Sequence, residues 1–317
     1  MTPNGRGTSP PVHEAGAGGP ALAVVVVIHN SASELRRLLD SIDEHLHPVP
    51  QIIVVDNGSH DGGGELARAR GAELITLAHN PGFGAGCNAG VARASAAVTA
   101  LVNPDVQLLD GGLARLAQLA RDQDRLLAPR LLNDDGTPQR SAHLRPGRAP
   151  RLLGALIPPA LLPPRQRARV EPWRSERPVT VGWAIAACLV ARTTTLRALG
   201  PFDERIFLFH EDLDLCLRAR AAGVPTELHP EVVLGHSGGH ATLPRYGSEP
   251  HEDMAMRRRE VVGRVLGRRA LALDDAAQSL TFATRALARI LLRRDPRREL
   301  DQLKALLRAR RRAPGPD

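Results

Sequence analysis

The sequence predicts an α/β fold with a mainly parallel central sheet flanked by helices, and three observations predict it. Short apolar runs rich in Val and Ile recur through the N-terminal third of the chain. Segments with the Leu and Ala spacing of amphipathic helices separate them, as βαβ units require. Each run ends in polar turn residues, among them Asn30, Asp56 and Asp105. In open sheets of this kind ligands bind outside the carboxyl ends of the strands.

Residues 21–28 (ALAVVVVI) form a continuous apolar run, the mark of a strand buried on both faces. Ser31 and Glu34 have the spacing of a capping box, ahead of a helix with Leu35, Leu38, Leu39 and Ile42 on one side. Residues 51–55 and 73–77 give a second and a third strand, and 98–103 a fourth after a helical segment at 87–97. From 144 to 178 prolines exclude long helices and central strands. That stretch is a loop excursion, either a flexible insertion or a lid that binds an acceptor or faces a membrane. Strand-like sequence returns over 179–190, followed by a short helix at 192–199 and an acidic cluster that opens another helix at 210–214. Residues 231–234 make a last short strand, and 252–312 read as helices with basic faces.

At 317 residues, 43% of them hydrophobic, the chain can bury a large core without disulfides. Cys87, Cys188 and Cys216 are an odd set without metal-site spacing, which argues for a reducing compartment, and the chain is expected to be cytoplasmic. No apolar run reaches the ~18–20 residues of a membrane span. Residues 1–20, rich in Gly and Pro, are expected to be a disordered tail. The net charge of +8 is concentrated at the other end: residues 256–317 carry sixteen Arg and Lys304 against seven acids. Such a tail suits either a peripheral contact with an anionic membrane, at the inner face of the plasma membrane, or the solvated edge of a helical bundle. The remainder is close to neutral and only 3% of residues are aromatic, which argues against nucleic acid as a partner.

Several side chains at strand ends and helix starts have the chemistry of a site, although each also suits an ordinary turn. Asp56, Asn57 and Gly58 offer a carboxylate and an amide to a nucleobase or ribose. Asp105 follows Pro104 and could hold a divalent cation on phosphate oxygens, while His236 could add a neutral ring nitrogen, which suits Mn²⁺ better than Mg²⁺. In the first turn of a helix Asp212 would be kept ionised by unpaired N–H groups and by the macrodipole, as a general base requires. Trp183 either lines the site or fills the core. The run around Gly84 imitates a dinucleotide fingerprint, but strands precede it and Asn80-Pro81 interrupts its approach, so an NAD-dependent dehydrogenase is a remote alternative. Its glycines would let the backbone approach a phosphate closely.

Six blocks taken in order resemble glycosyltransferase family 2, inverting enzymes of the GT-A fold, and within it the rhamnosyltransferase-like members. The blocks are VVVVIHN (24–30), IIVVDNGSHDG (52–62), NPGFGAGCNAG (80–90), LVNPD (101–105), GPFDERIFLFHEDLDLCLRARAAG (200–223) and VVLGHSGG (232–239). The resemblance implies a GT-A domain over 21–250 with a basic helical extension over 251–317. It implies a nucleotide-sugar donor, dTDP-rhamnose or a UDP-sugar, bound by Asn30, Asp56, Asn57, Gly58, Asn80, Gly84, Asn88 and Asn103. Asp105 would be the retained acid of a degenerate D-x-D motif and with His236 would hold Mg²⁺ or Mn²⁺. Asp212 would be the base that deprotonates a lipid-linked or polysaccharide acceptor, with Trp183, Glu211 and Asp214 on the acceptor side or in support. A UDP-hexose or UDP-galactofuranose transferase and a non-catalytic sugar-nucleotide-binding module are the alternatives. The chain departs from the family's pattern at Ile28-His29-Asn30, at Cys87 where Arg is frequent, and at Ala186 where Gly is frequent.

Overall fold

The computed structural model describes residues 21–148, 155–157, 159, 162–238 and 250–312. The expected disordered tail at 1–20 and part of the 144–178 excursion lie outside the described residues. The chain begins with β1 (Leu22–Ile28), α1 (Ala32–His45), β2 (Gln51–Asp56), α2 (Gly63–Ala69), β3 (Glu73–Thr76), α3 (Phe83–Arg93) and β4 (Val98–Val102). It continues through β5 (Val106–Leu108), α4 (Gly112–Arg121), β6 (Leu126–Leu132), β7 (Ala142–His143) and α5 (Pro164–Val170). Then come β8 (Val179–Val181), β9 (Trp183–Ala184), β10 (Cys188–Arg192), α6 (Thr193–Leu199), α7 (Glu211–Ala221) and β11 (Thr226–His236). Two C-terminal helices follow, α8 (His251–Leu291) and α9 (Arg297–Arg311).

The central sheet has nine strands in the order β3-β2-β1-β4-β10-β6-β11-β5, with β8 also paired to β11. It is parallel from β3 to β4 and again between β6 and β11, while β10 and the edge strands β5 and β8 run antiparallel. Every residue of β1 is buried. Because successive side chains point to opposite faces, Val24, Val26 and Ile28 join α1 and α4 on one side, and Val25 and Val27 join α3 and α7 on the other. The run read from the sequence as buried on both faces therefore lies at the middle of a three-layer core.

Four local expectations change. Ser31 does precede α1, but its side chain makes no cap bond; Asp61 Oδ2 accepts instead from the Ala32 N–H at 2.7 Å. A carboxylate from the β2–α2 loop thus closes the helix and ties two strand-end loops together. The single strand expected over 179–190 is broken into β8, β9 and β10. The break is at Gly182, where a Cβ would lie 1.9 Å from Arg145 N, because the 144–145 backbone crosses there. The strand expected over 231–234 runs from Thr226 to His236, with a register shift against β6 between His229 and Val233. Pro230 sits in that irregularity, where its missing N–H costs no ladder bond. Inside the 144–178 excursion, Pro164 occupies the first turn of the short helix α5, a place a helix tolerates.

The C-terminal region is not a loose appendage. Gly267 takes φ +83° and breaks α8 into arms 251–266 and 268–291. In a straight helix, Arg258 and Asp274 would be about 24 Å apart. They form a two-point salt bridge at 2.8 and 3.0 Å, so the arms fold back on each other. α9 packs alongside, through Arg289 to Glu299 and Arg310 to Asp275. Val261 and Val262 of the first arm are fully buried in the same apolar cluster as Leu213 and Leu217 of α7.

Candidate active site

Asp212 is carried by a turn with unusual backbone. Phe209 and His210 both take left-handed conformations, φ +71° and +64°, before α7 begins at Glu211. Non-glycine residues pay strain for this and hold it only where the surroundings impose it. The surroundings here are the Asn80–Gly84 loop and α3. Phe83 N–H donates to Phe207 O at 3.2 Å, and Asn88 clamps Phe202 by accepting from its N–H at 3.0 Å and donating to its carbonyl at 2.9 Å. Gly82 has φ +104°, and a Cβ there would lie 2.4 Å from Phe207 O. Gly82→Ala is therefore expected to lose about 1–3 kcal/mol to backbone strain alone, and more to the clash, in a urea titration. Gly62→Ala, with φ +83° but nothing within 4 Å of the new Cβ, should show the strain only.

Half-buried Asp212 accepts from its neighbour Leu213 N–H at 2.6 Å and from Ala186 N–H at 3.3 Å. Burial pushes its carboxyl up to about 6, against the lowering effect of those N–H groups and of the Arg258 charge. The helix start alone would favour ionisation more strongly; desolvation outweighs it, and the group is left as a carboxylate of raised basicity near neutral pH. Glu211 is more deeply buried, and its Oε2 has no hydrogen-bond partner. Burial first, and the Asp212 charge second, push it up to about 8, so near neutrality the two adjacent carboxyls share a proton. His210 is pushed down to about 3 by burial, with Arg258 adding to the effect, and is neutral.

Backbone bonds connect Asp212 to the sheet. Ala187, next to the Ala186 that Asp212 contacts, accepts from Asn103 N–H at 2.9 Å, and Asp105 lies two residues further on. His236 Nε2 stands 3.3 Å from Asp105 Oδ1, and its Nδ1 is 2.8 Å from Gln139 Oε1. Donation from Nδ1 to that amide oxygen directs the Nε2 lone pair at Asp105, an orientation that suits a metal ligand. No group of three or more His, Cys, Asp or Glu fit to hold a metal occurs among the described residues. The two side chains fit a divalent cation that takes its remaining ligands from phosphate and water. Asn103 Oδ1 is buried near them without a partner.

A second set closes around the ends of β1 and β2. Buried Asp56 accepts from Ser59 N–H at 2.8 Å, and Gly58 turns the loop with φ +73°. Asn30 accepts from His60 N–H at 2.8 Å, and its own N–H donates to Ser59 Oγ at 3.0 Å. Asn57 Nδ2 donates to Gly82 O at 3.0 Å and to Asn80 Oδ1 at 3.3 Å, which joins this loop to the one supporting Phe207.

Three expected site residues have other work. Gly84 does not leave room for a phosphate: a Cβ there would be 2.8 Å from Phe202 Cβ, so its space is filled by that ring. Gly86 and Gly90 face Val27 and Val25 in the same way, which accounts for the glycine spacing by helix packing and removes the dinucleotide reading. Asn88 spends both ends of its amide on Phe202, as a strut and not a donor contact. Asp214, fully buried, is bonded to Arg218 at 2.7 Å and Arg264 at 3.0 Å, so it docks the C-terminal arm on α7 and does not face an acceptor. Trp183 both fills and lines: it is 93% buried, stacks on His143 at 4.2 Å, and meets His210 edge-on at 5.9 Å. Sequence reasoning missed Gln139, His143, Trp173 and Arg258, which approach the site from distant segments and carry no local signal. The three cysteines are free and buried, and burial pushes each thiol up, so none is a nucleophile.

Comparison with known proteins identifies the family and the fold. The sequence model of "Glycosyl transferase family 2" matches residues 23–175. An N-acetylglucosaminyl-diphospho-decaprenol L-rhamnosyltransferase of Mycobacterium tuberculosis is 30% identical over 305 residues, 88% of this chain and 96% of the relative. The low-salt glycan biosynthesis hexosyltransferase Agl10 of Haloferax volcanii is 23% identical over 64% of this chain and 62% of that one. Among solved structures, a mannosyltransferase of Pyrobaculum calidifontis in complex with GDP-Man and Mn²⁺ superposes with a TM-score of 0.57 at 14% identity, covering 93% of this chain and 87% of that one. That likeness bears on the fold, which is GT-A.

Proposed function

This glycosyltransferase belongs to glycosyl transferase family 2, and from that premise we propose that it moves a sugar, L-rhamnose in the first instance, from a nucleoside-diphosphate donor to a hydroxyl of a lipid-linked or cell-envelope polysaccharide acceptor. One observation carries the reading: a carboxylate of raised basicity, Asp212, is joined through Ala186–Ala187 to the strand end that holds Asn103 and Asp105. In this reading the base and the phosphate-side acid share one frame. The rhamnosyl donor and the polyprenyl-diphosphate acceptor rest on the likeness to the mycobacterial L-rhamnosyltransferase, which covers most of both chains.

In this mechanism Asp212 accepts the proton of the acceptor hydroxyl as its oxygen attacks the anomeric carbon, and a single displacement inverts that centre. The proton Asp212 shares with Glu211 limits the negative charge at the turn. Asp56 and Asn30 hold the nucleoside at the β1 and β2 ends. Asp105 and His236 would hold Mg²⁺ or Mn²⁺, which when bound neutralises charge on the departing nucleoside diphosphate. No helix among the described residues is long and apolar enough to cross a membrane.

The test is a panel of nucleotide sugars with Mn²⁺ and Mg²⁺, read first by thermal stabilisation and then by transfer. dTDP-rhamnose is expected to raise the midpoint most; a larger effect of a UDP-hexose would replace the donor, and saturable binding without transfer to any acceptor would favour a binding module. Gln139→Leu, which frees the His236 ring, should weaken Mn²⁺ about 10–100-fold in a titration made with the nucleoside diphosphate present. Unchanged Mn²⁺ affinity would remove His236 from the metal site.

A further inference from the structure

Outside the site just described, Leu144, Ala155, Pro159, the Val170–Trp173 stretch and both arms of α8 line a cavity of about 190 Å³. Leu144, Trp173 and Phe282 form its apolar wall, and Gln278, Thr281 and Arg285 its polar one. Arg285 is half-buried, and burial, with the charge of Arg140 second, pushes its guanidinium below its ordinary value against the opposing charges of Glu171 and Glu299. Arg140 itself lies over the Trp173 ring at 5.7 Å. Among the described residues neither arginine forms an ion pair. The carboxylate that lines the cavity, Glu171, is taken by Arg167 at 3.0 Å and Arg174 at 2.7 Å, and Arg258 is taken by Asp274. Glu299, the other carboxylate near Arg285, is taken by Arg289 at 2.8 Å. Two neighbouring cations beside an aromatic face, with each nearby carboxylate already bonded to another arginine, favour an anion between them.

The edge of this cavity is apolar and open. Thr284 Oγ1 donates to Ala155 O at 2.9 Å, which fixes the 155–157 turn against α8. The next residues, Leu156 and Ile157, are 58% and 48% exposed. Leu287 and Leu291 follow Thr284 at helical spacing on the same face, and they are 56% and 74% exposed, with Leu292 at 66%. Arg293 and Arg294 come directly after. Exposed leucines beside arginines are the composition of a surface that meets an acyl or prenyl chain and its phosphate.

Rings connect the cavity to the base. Trp173 lies 5.8 Å from His143, which stacks on Trp183 at 4.2 Å, which in turn meets His210 at 5.9 Å, next to Glu211 and Asp212. We infer that the cavity and its rim bind a phosphate-bearing amphiphile, its anionic head between Arg140 and Arg285 on Trp173 and its chain over Leu156, Ile157, Leu287 and Leu291. Resting on the transferase reading above, this gives the lipid part of the acceptor a seat from which its sugar reaches Asp212 along the Trp183–His210 face.

Dodecyl phosphate below its micelle concentration is the probe, with inorganic phosphate and dodecanol as comparators and calorimetry as the readout. Dodecyl phosphate is expected to bind at least about tenfold more tightly than either comparator, since head and chain each contribute. Arg140→Gln with Arg285→Gln should weaken it about tenfold or more, Arg285→Lys less, and Leu291→Ser with Ile157→Ser should bring it toward inorganic phosphate. Nucleoside-diphosphate binding should stay unchanged in all of them, which also reports that each variant is folded. Equal binding of dodecyl phosphate by the double Arg variant, or equal affinity for inorganic phosphate and dodecyl phosphate, overturns the inference. Binding of dodecyl phosphate that depends on Arg285, in a protein that binds no nucleotide sugar, would retain the amphiphile site while the transferase reading fails.

Discussion

Asp212→Asn is expected to lower kcat about 10²–10⁴-fold, the range that a positioned general base supplies, while the affinity for the nucleotide sugar stays near that of the wild type. The amide keeps the acceptor for Ala186 N–H but has no lone pair basic enough to take a proton. Retention of full transfer by this variant would remove Asp212 from the role of base. The pH profile gives an independent reading. Burial raises Asp212 to about 6, so the acid limb of kcat/KM should fall in that region, well above the ~4 of an exposed carboxyl. Stability should run the other way. Glu211 and Asp212 bind their protons more tightly folded than unfolded, so the folded state holds more protons between the unfolded values near ~4 and the raised ones. Stability from this pair is then present at low pH and is lost as pH rises through about 6 and about 8. Glu211→Gln should flatten that decline in urea titrations made from pH 5 to 9, a range chosen to cover roughly the whole window.

Arg218→Ala is expected to cost about 3–5 kcal/mol, because it strips a fully buried carboxylate of its nearest partner. Arg218 bonds Asp214 at 2.7 Å and also donates to the carbonyls of Leu199 at 2.6 Å and Pro201 at 2.7 Å. It therefore joins α7 to the start of the loop that leads into Asp212. Arg264→Ala should cost less, about 1–2 kcal/mol, since that side chain is a third exposed and Asp214 keeps Arg218. Denaturant midpoints at constant slope give the order; a larger loss for Arg264 would mean that the C-terminal arm, and not the α6–α7 connection, is what Asp214 chiefly secures.

The sequence by itself determined the parallel half of the sheet and which polar side chains stand at its strand ends. A Val-rich run without alternation can only be satisfied between two layers, and β1 is buried on both faces for that reason. Asp56, Asp105 and Asp212 were legible because each stands beside a strand end or helix start, where backbone direction fixes side-chain direction. β5, α4 and β6 were not read, in part because Pro129 within β6 looks like a break, and only the paired irregularity at Pro230 in β11 makes room for it. The glycines of the Asn80–Gly90 run carried an ambiguous signal, since the same absence of a Cβ serves a phosphate or a neighbouring ring; Phe202, Val27 and Val25 decide for packing. Asp214 likewise looked like its neighbours until Arg264 arrived from fifty residues away. What tertiary structure alone decided is burial: it raised Asp212 and Glu211 against the helix dipole, it folded the basic tail into a hairpin with Val261 and Val262 in the core, and it set Arg285 in a cavity whose Trp173 wall also carries the exposed Arg140. Periodicity is a property of short stretches of chain, whereas desolvation depends on which distant segments cover a group.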